Sequence, residues 1–177
     1  MRKGEDDSRS PVNWLQGSEL ETFITKNADA PTRAIFLGVF AVNTLPIQHL
    51  SSSSSNLPAL LIVNSDTANL AGQHWRAIYI DTERHGEIFD SLALAVSPIL
   101  EAWINRQTIN WITSDTAIQH PRIPSCGAFA LHFVIHRLAM GNLKTYLDTY
   151  FPSSSSSDSD FVRNELFIRD FVRTLSQ

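Results

Sequence analysis

One cysteine, Cys126, stands at the head of the run Cys-Gly-Ala-Phe-Ala-Leu-His-Phe-Val-Ile-His-Arg-Leu-Ala-Met-Gly. The run is apolar on nearly every side, so it reads as a buried helix with Ser125 as N-cap and Gly141 as its stop. A thiol in the first turn of a helix lies at the positive end of the helix dipole, where a thiolate is favoured. That is where a nucleophile would be placed. A single cysteine is more ordinarily a small buried hydrophobe, so the position gains meaning only with a base, an orienting acid and donors for an oxyanion.

The six histidines sort by element. His74 opens a β-rich segment and is followed by Trp75, an aromatic able to wall a site. His132 and His136 lie on the same helix as Cys126, about 9 and 15 Å along it at 1.5 Å rise per residue, too far to serve the thiol. Their i, i+4 spacing suits a metal, but without a Glu in His-Glu-x-x-His form and with no second cysteine, no metal site is assigned. His49, His85 and His120 fall in loops, where solvation is the default. An imidazole base works best when a carboxylate fixes its tautomer, and Asp90 ends the strand expected beside that of His74. Gln119, seven residues before Cys126 in a proline-stiffened loop, can join the Cys126 backbone amide as an oxyanion donor.

The elements that must position these groups are legible in outline. Ser18 and Glu21 read as a capping box opening a helix to about Lys26, with Leu20, Phe23 and Ile24 on one face. β-rich segments follow at Ala34–Phe40, Ala59–Val63, His74–Ile80 and Glu87–Asp90, the last two as a hairpin closed by residues 81–86. A helix from about Pro98 to Arg106, a strand at Ile109–Thr113, the buried helix, and a last amphipathic helix capped by Asp160 complete the chain. That last helix carries Ile168, Phe171, Val172 and Leu175 inward. The order predicts an α+β domain with a central mixed sheet packed on the helix that starts at Cys126. Serine runs at 51–55 and 153–157 read as surface loops, since neither buries anything to offset its ordering.

Composition narrows the function classes. At 177 residues, 43% hydrophobic, with ten Phe and four Trp, the chain is expected to form one folded domain. One cysteine excludes an intramolecular disulfide and a zinc ribbon. The charged start and the lack of eighteen successive apolar residues predict neither signal peptide nor membrane span, hence an intracellular protein without membrane partners. A net charge of −4 argues against a broad nucleic-acid footprint.

Taken in order, His74-Trp75, Phe89-Asp90, and Gln119 seven residues ahead of Ser125-Cys126-Gly127 resemble the adenovirus protease family (adenain), with the related ubiquitin-like-protein proteases behind it. The likeness covers most of the chain. Gly17-Ser18-Glu19-Leu20 with Phe36-Leu37-Gly38 is similar to the family's first helix and strand, and Ile62-Val63-Asn64 leading to Gly72-Gln73-His74-Trp75 to its approach to the histidine. Phe161–Leu175 is similar to its closing helix. The resemblance implies the adenain type of papain-like-in-reverse cysteine protease fold, and an endopeptidase in which Cys126 attacks, His74 moves the proton and Asp90 orients His74. It implies that Gln119 and the Cys126 amide bind the oxyanion, and that a groove between sheet and helices takes polypeptides with small residues such as Gly at the cut. Trp75, Gly72 and Gly127 are its groove candidates. It also implies processing of viral structural precursors during virion maturation, in the host nucleus or cytoplasm and in the virion.

The family's peptide activator is tethered through a second cysteine that this chain lacks, and its DNA cofactor uses basic surfaces at odds with the acidic charge. The expectation is therefore a monomer needing no cofactor. Adenovirus enzymes usually have Glu as the third member, and Asp90-Ser91 is closer to the deubiquitinase-like branch, whereas the seven-residue Gln-to-Cys spacing favours adenain. An isopeptidase acting on ubiquitin-like conjugates and a non-enzymatic peptide-binding relic are the alternatives.

Overall fold

A computed structural model describes residues 15–50, 56–65, 74–152 and 157–177. Helices α1 (Gly17–Asn27) and α2 (Ala30–Ile35) lead into strand β1 (Phe36–Ala41) and a 3-10 turn at Val42–Thr44; β2 (Ala59–Asn64), β3 (Trp75–Ile80) and β4 (His85–Phe89) follow. Then come α3 (Pro98–Gln107), β5 (Asn110–Thr113), α4 (Cys126–Met140), α5 (Leu143–Tyr150) and α6 (Asp158–Leu175). The strands lie in the order β1-β2-β3-β4-β5. β2, β3 and β4 are antiparallel to their neighbours in that trio, while β1 and β5 join the two outer edges in parallel. The expected α+β architecture with a central mixed sheet is the one observed.

The pleat sends alternate side chains to opposite faces, and each face of this sheet has its own apolar cluster. Leu60, Ile62, Ala77 and Phe89 meet Phe129, Phe133 and Val134 of α4, around which α1, α5 and α6 gather. Leu61, Val63, Ile78, Ile80 and Ile88 meet Leu100, Trp103 and Ile104 of α3. With both faces covered, β2 is buried along its whole length, which is why its sequence Ala-Leu-Leu-Ile-Val-Asn shows no alternation. α4 is apolar all round because it lies between sheet and helices. Its one buried cation, Arg137, forms two bonds to Glu87 of β4, at 2.6 and 2.9 Å, and lies over the Tyr79 ring.

Several element ends differ from the sequence reading. The cap of α1 is Gln16, two residues before the expected Ser18: the Glu19 carboxylate accepts the Gln16 N–H at 2.7 Å, and Glu21 instead reaches across to the Val39 N–H of β1. The segment from Ala34 is not strand throughout, because Asp29 caps α2 by accepting from the Thr32 N–H, with a proline in its first turn. α5 lies where no element was expected; Asn142 caps it, and it buries Leu143 and Tyr146 on α4. α6 is capped by Ser157, whose hydroxyl accepts the Asp160 N–H, so Asp160 lies inside the first turn and is not the cap. Ser157 thus belongs to a helix end, while 51–55 and 153–156 lie outside the described residues. β4 begins at His85, inside the segment expected to be turn. Gly141 ends α4 with φ +78°, as a helix-stop glycine should. Among the described residues no helix is long and apolar enough to cross a membrane.

Candidate active site

Strand pairing brings the chemistry together. β3 and β4 pair Ala77 with Phe89, so one step further Arg76 stands opposite Asp90, with His74 just before β3. The His74 Nε2–H donates to Asp90 Oδ1 at 2.7 Å, with His74 6% exposed and Asp90 fully buried. Cys126 arrives from the other direction, at the first residue of α4, which packs on β3. The Trp75 backbone N–H donates to Cys126 Sγ at 3.4 Å, which fixes the sulfur beside the residue after His74. His74 Nδ1 is buried and has no hydrogen-bond partner of regular geometry among the described residues. The Cys126 sulfur is nonetheless near enough to favour its protonated form.

The electrostatics follow from these contacts. Burial works against a charged His74, but the Asp90 hydrogen bond, the Cys126 sulfur and their negative charges outweigh it and raise the imidazole to about 9. Burial would push Asp90 up. The bond and charge of His74, the charge of Arg76 and the Leu92 amide together hold it below the ordinary carboxylate value.

Arg76 is the residue that motif reading passed over. Its guanidinium is 3% exposed, and Nε donates to Asp90 Oδ2 at 2.6 Å while one terminal nitrogen donates to the Ala95 carbonyl at 3.0 Å. Each Asp90 oxygen therefore faces one cation. The signal was present in the strand: Arg76, Ile78 and Ile80 share one face by period two, so a charge lies on a face otherwise buried.

Gln119 is 2% exposed, so the loop default does not describe it. Its Oε1 accepts from the Ser91 hydroxyl at 2.6 Å, its Nε2 donates to the Ile123 carbonyl at 2.5 Å, and its backbone N–H donates to the Ser91 carbonyl. A carboxamide nitrogen has two hydrogens, and this bond uses one. Ser91, next to Asp90, thus connects the acid's turn to the loop ahead of the thiol. Cys126 and Gly127, as first residues of α4, carry N–H groups that no carbonyl of the same helix can meet.

Ser125 is not the side-chain cap it resembled. Its backbone lies at φ −99°, ψ 4°, and its hydroxyl donates to Glu165 Oε1 of α6 at 3.0 Å. Gly127 is tightly enclosed: a β-carbon there would stand 3.1 Å from Trp75 Cδ1 and 3.3 Å from Leu15 Cβ, and the Trp75 indole N–H donates to the Leu15 carbonyl. Trp75 and Gly127 therefore adjoin the sulfur, while Gly72 lies outside the described residues.

The other histidines are elsewhere. His132 is buried, its Nδ1 paired with the Tyr146 hydroxyl and its ring stacked on His136; burial, then His136, lowers it to about 3. It is a neutral core residue. His49 pairs with Arg84, His85 with Asp81, and His120 packs edge-on against Phe161, a more enclosed place than the solvated loop expected. Among the described residues no three His, Cys, Asp or Glu side chains gather as metal ligands do.

No protein-family model matches the sequence, and no curated protein does. Solved structures do. The ASFV pS273R protease superposes with a TM-score of 0.58 at 15% identity over 85% of this chain and 65% of its own. In a selenomethionine form of that protease the match covers 58% of this chain and 41% of the other, at 21% identity and TM-score 0.41. The chain thus spans less than two thirds of that protease's length. The central domain of Lpg1148 from Legionella pneumophila matches at TM-score 0.51 and 16% identity, over 93% of this chain and 98% of that one. The SUMO protease Ulp1 follows at 0.46 and 17%, over 93% and 79%. At these identities the likeness concerns the fold. The fold shared with the ASFV pS273R protease is here a mixed sheet packed on the helix that begins at Cys126.

Proposed function

We propose that the protein is a cysteine endopeptidase whose nucleophile is Cys126. The observation that carries this reading is the buried His74–Asp90 pair with the Cys126 sulfur held beside it at the start of α4. In the reaction, the Cys126 thiolate attacks the scissile carbonyl carbon and the carbonyl π pair moves onto oxygen. Gln119 Nε2–H and the Cys126 N–H meet the resulting oxyanion. When it collapses, the carbon–nitrogen bond breaks, His74 gives its proton to the leaving amine, and a thioester is left. Water, losing a proton to His74, then releases the acid and restores the thiol pair. Asp90 keeps the imidazole oriented and stabilises its protonated form.

The residues resembling adenain support viral structural precursors, cut at small or Gly-containing sites during virion maturation in the infected cell, as the substrates. With a single cysteine in this sequence, any activating peptide acts without a disulfide tether to it, and we assign no DNA cofactor and a monomeric state. A fluorogenic panel tests this, setting Gly-rich capsid-precursor peptides against reporters built on ubiquitin-like C-termini. Cleavage of the precursors, abolished together with iodoacetamide labelling by Cys126→Ala in a folded protein, is expected. Cleavage of the reporters alone would replace this reading by the isopeptidase one, which the Asp90-Ser91 pair favours. Cleavage of neither would leave a peptide-binding relic. Residual hydrolysis by Cys126→Ala would remove the nucleophile assignment.

A further inference from the structure

We infer that Glu165, on the closing helix α6, is a positioning residue for the loop that carries the oxyanion donors; this rests on the protease reading and extends it to a helix outside the catalytic motifs. The loop runs from Gln119 to Cys126, and its two ends are tied by a single oxygen. Glu165 Oε1 accepts the His120 N–H at 3.1 Å and the Ser125 hydroxyl at 3.0 Å, so it holds the residue after Gln119 and the residue before Cys126 together. Its neighbour Asn164, 1% exposed, donates to the Ile118 carbonyl at 2.9 Å, on the other side of Gln119. α6 therefore grips both flanks of Gln119 and the near flank of Cys126.

Two further features need this grip. Pro121 and Pro124 have no N–H to donate, and the loop's own bonds are short-range: Gln119 Nε2–H and Ser125 N–H to the Ile123 carbonyl, Ile123 N–H to the His120 carbonyl, and Arg122 N–H to His120 Nδ1. The first two of these bonds meet at one carbonyl, that of Ile123, and none of the set joins the loop to the rest of the fold, which Glu165 and Asn164 do. Ser125, moreover, stands at an N-cap position where its hydroxyl would ordinarily accept a helix N–H for about 1 kcal/mol. Here it donates to α6 instead. Oxyanion donors act only within a few tenths of an ångström of the developing charge, and a displacement of about 1 Å costs on the order of 100-fold in rate.

The test compares Glu165→Ala and Glu165→Gln with the wild-type chain on three probes. These are a fluorogenic peptide ending in Gly-Gly, the corresponding peptide aldehyde, and iodoacetamide. For Glu165→Ala, kcat should fall roughly 10- to 100-fold with little change in KM, the scale of a misplaced donor set. Affinity for the aldehyde, whose adduct carries the same oxyanion, should fall by a similar factor. Alkylation of Cys126 should keep its rate, because displacement of iodide develops no carbonyl oxyanion. Glu165→Gln should recover most of kcat, since its Oε1 still accepts both bonds. Thermal melts confirm that each variant is folded. Wild-type kcat in Glu165→Ala, or equal losses of cleavage and alkylation, would overturn the inference while leaving the protease reading in place. A wild-type chain that neither cleaves the peptide nor binds the aldehyde overturns that reading and the inference with it.

Discussion

Replacing Arg76 by Met retains the length of the side chain and removes its charge. Asp90, fully buried, would then keep the His74 bond at 2.7 Å and the Leu92 N–H at 2.8 Å but lose the Arg76 bond at 2.6 Å. Removing one partner of a buried ion pair costs about 3–5 kcal/mol, and the low end applies because a second cation stays on the carboxylate. For a chain of this size about 3 kcal/mol corresponds to roughly 6–12 °C in Tm. The pH dependence has a definite sign. Asp90 is depressed in the fold, so its stabilising contribution is complete above its unfolded value near 3.8 and is lost as pH falls through the lower folded one. Without Arg76 part of that depression is undone, and the acid-side loss should begin at higher pH. Thermal melts by circular dichroism from pH 3 to 7 measure both effects. A cycle with Asp90→Asn isolates the pair, and a coupling of about 2 kcal/mol or more is expected for groups in direct contact. Additive effects, or an unchanged Tm with an unchanged acid limb, would refute the claim that Arg76 balances the buried charge of Asp90.

Asp90→Asn should lower kcat by up to about 10⁴-fold, the order expected when a triad carboxylate becomes an amide and the imidazole takes the wrong tautomer; KM should change far less, which steady-state kinetics will show. His74, raised from 6.5 to about 9, should give kcat/KM an alkaline limb near pH 9, because above it the proton for the leaving amine is gone. Its contribution to stability has the opposite sign to that of Asp90: complete below about 6.5 and lost as pH rises through about 9. A pH–rate profile with its upper limb near 7, or melts insensitive to pH between 7 and 10, would contradict the His74–Asp90–Cys126 arrangement.

What could be read in the chain was the part in which residue type and order carry the chemistry. His74, Asp90, Gln119 and Cys126 were legible because a thiol at a helix start needs a base, an acid and a donor, and each occurs once in a suitable place. β2, β3, α3 and α4 were legible because burial gives them long apolar runs or clear periods. The short helices were not. α2 and α5 take their stability from packing on the sheet and on α4 more than from their own sequence, although Asp29-Ala-Pro-Thr and Asn142 do carry capping signals. Caps misread at Ser18, Ser125 and Asp160 share one cause: several residues within a turn can accept an amide, and tertiary contacts decide which does. Glu21 was drawn to β1 and Ser125 to α6.

The supporting contacts were illegible for a related reason, and they bear on what kind of site this is. Arg76, Ser91, Asn164 and Glu165 have no fixed distance in sequence from the residues they hold; Glu165 lies 40 residues from Ser125 and Arg76 lies 14 from Asp90. Arg76 also alters the charge balance of the pocket. With thiolate and imidazolium formed, Asp90 and Arg76 cancel as a second pair, so the buried site is neutral as a whole. The same groups without such an arginine would carry a net negative charge, and attack by a thiolate would leave that total unchanged, since its charge moves onto the carbonyl oxygen. Burial makes that excess costly. The arginine on β3 therefore keeps Asp90 ionised inside the buried site; under the protease reading proposed above, the stability loss expected for Arg76→Met and a loss of kcat come through the same carboxylate.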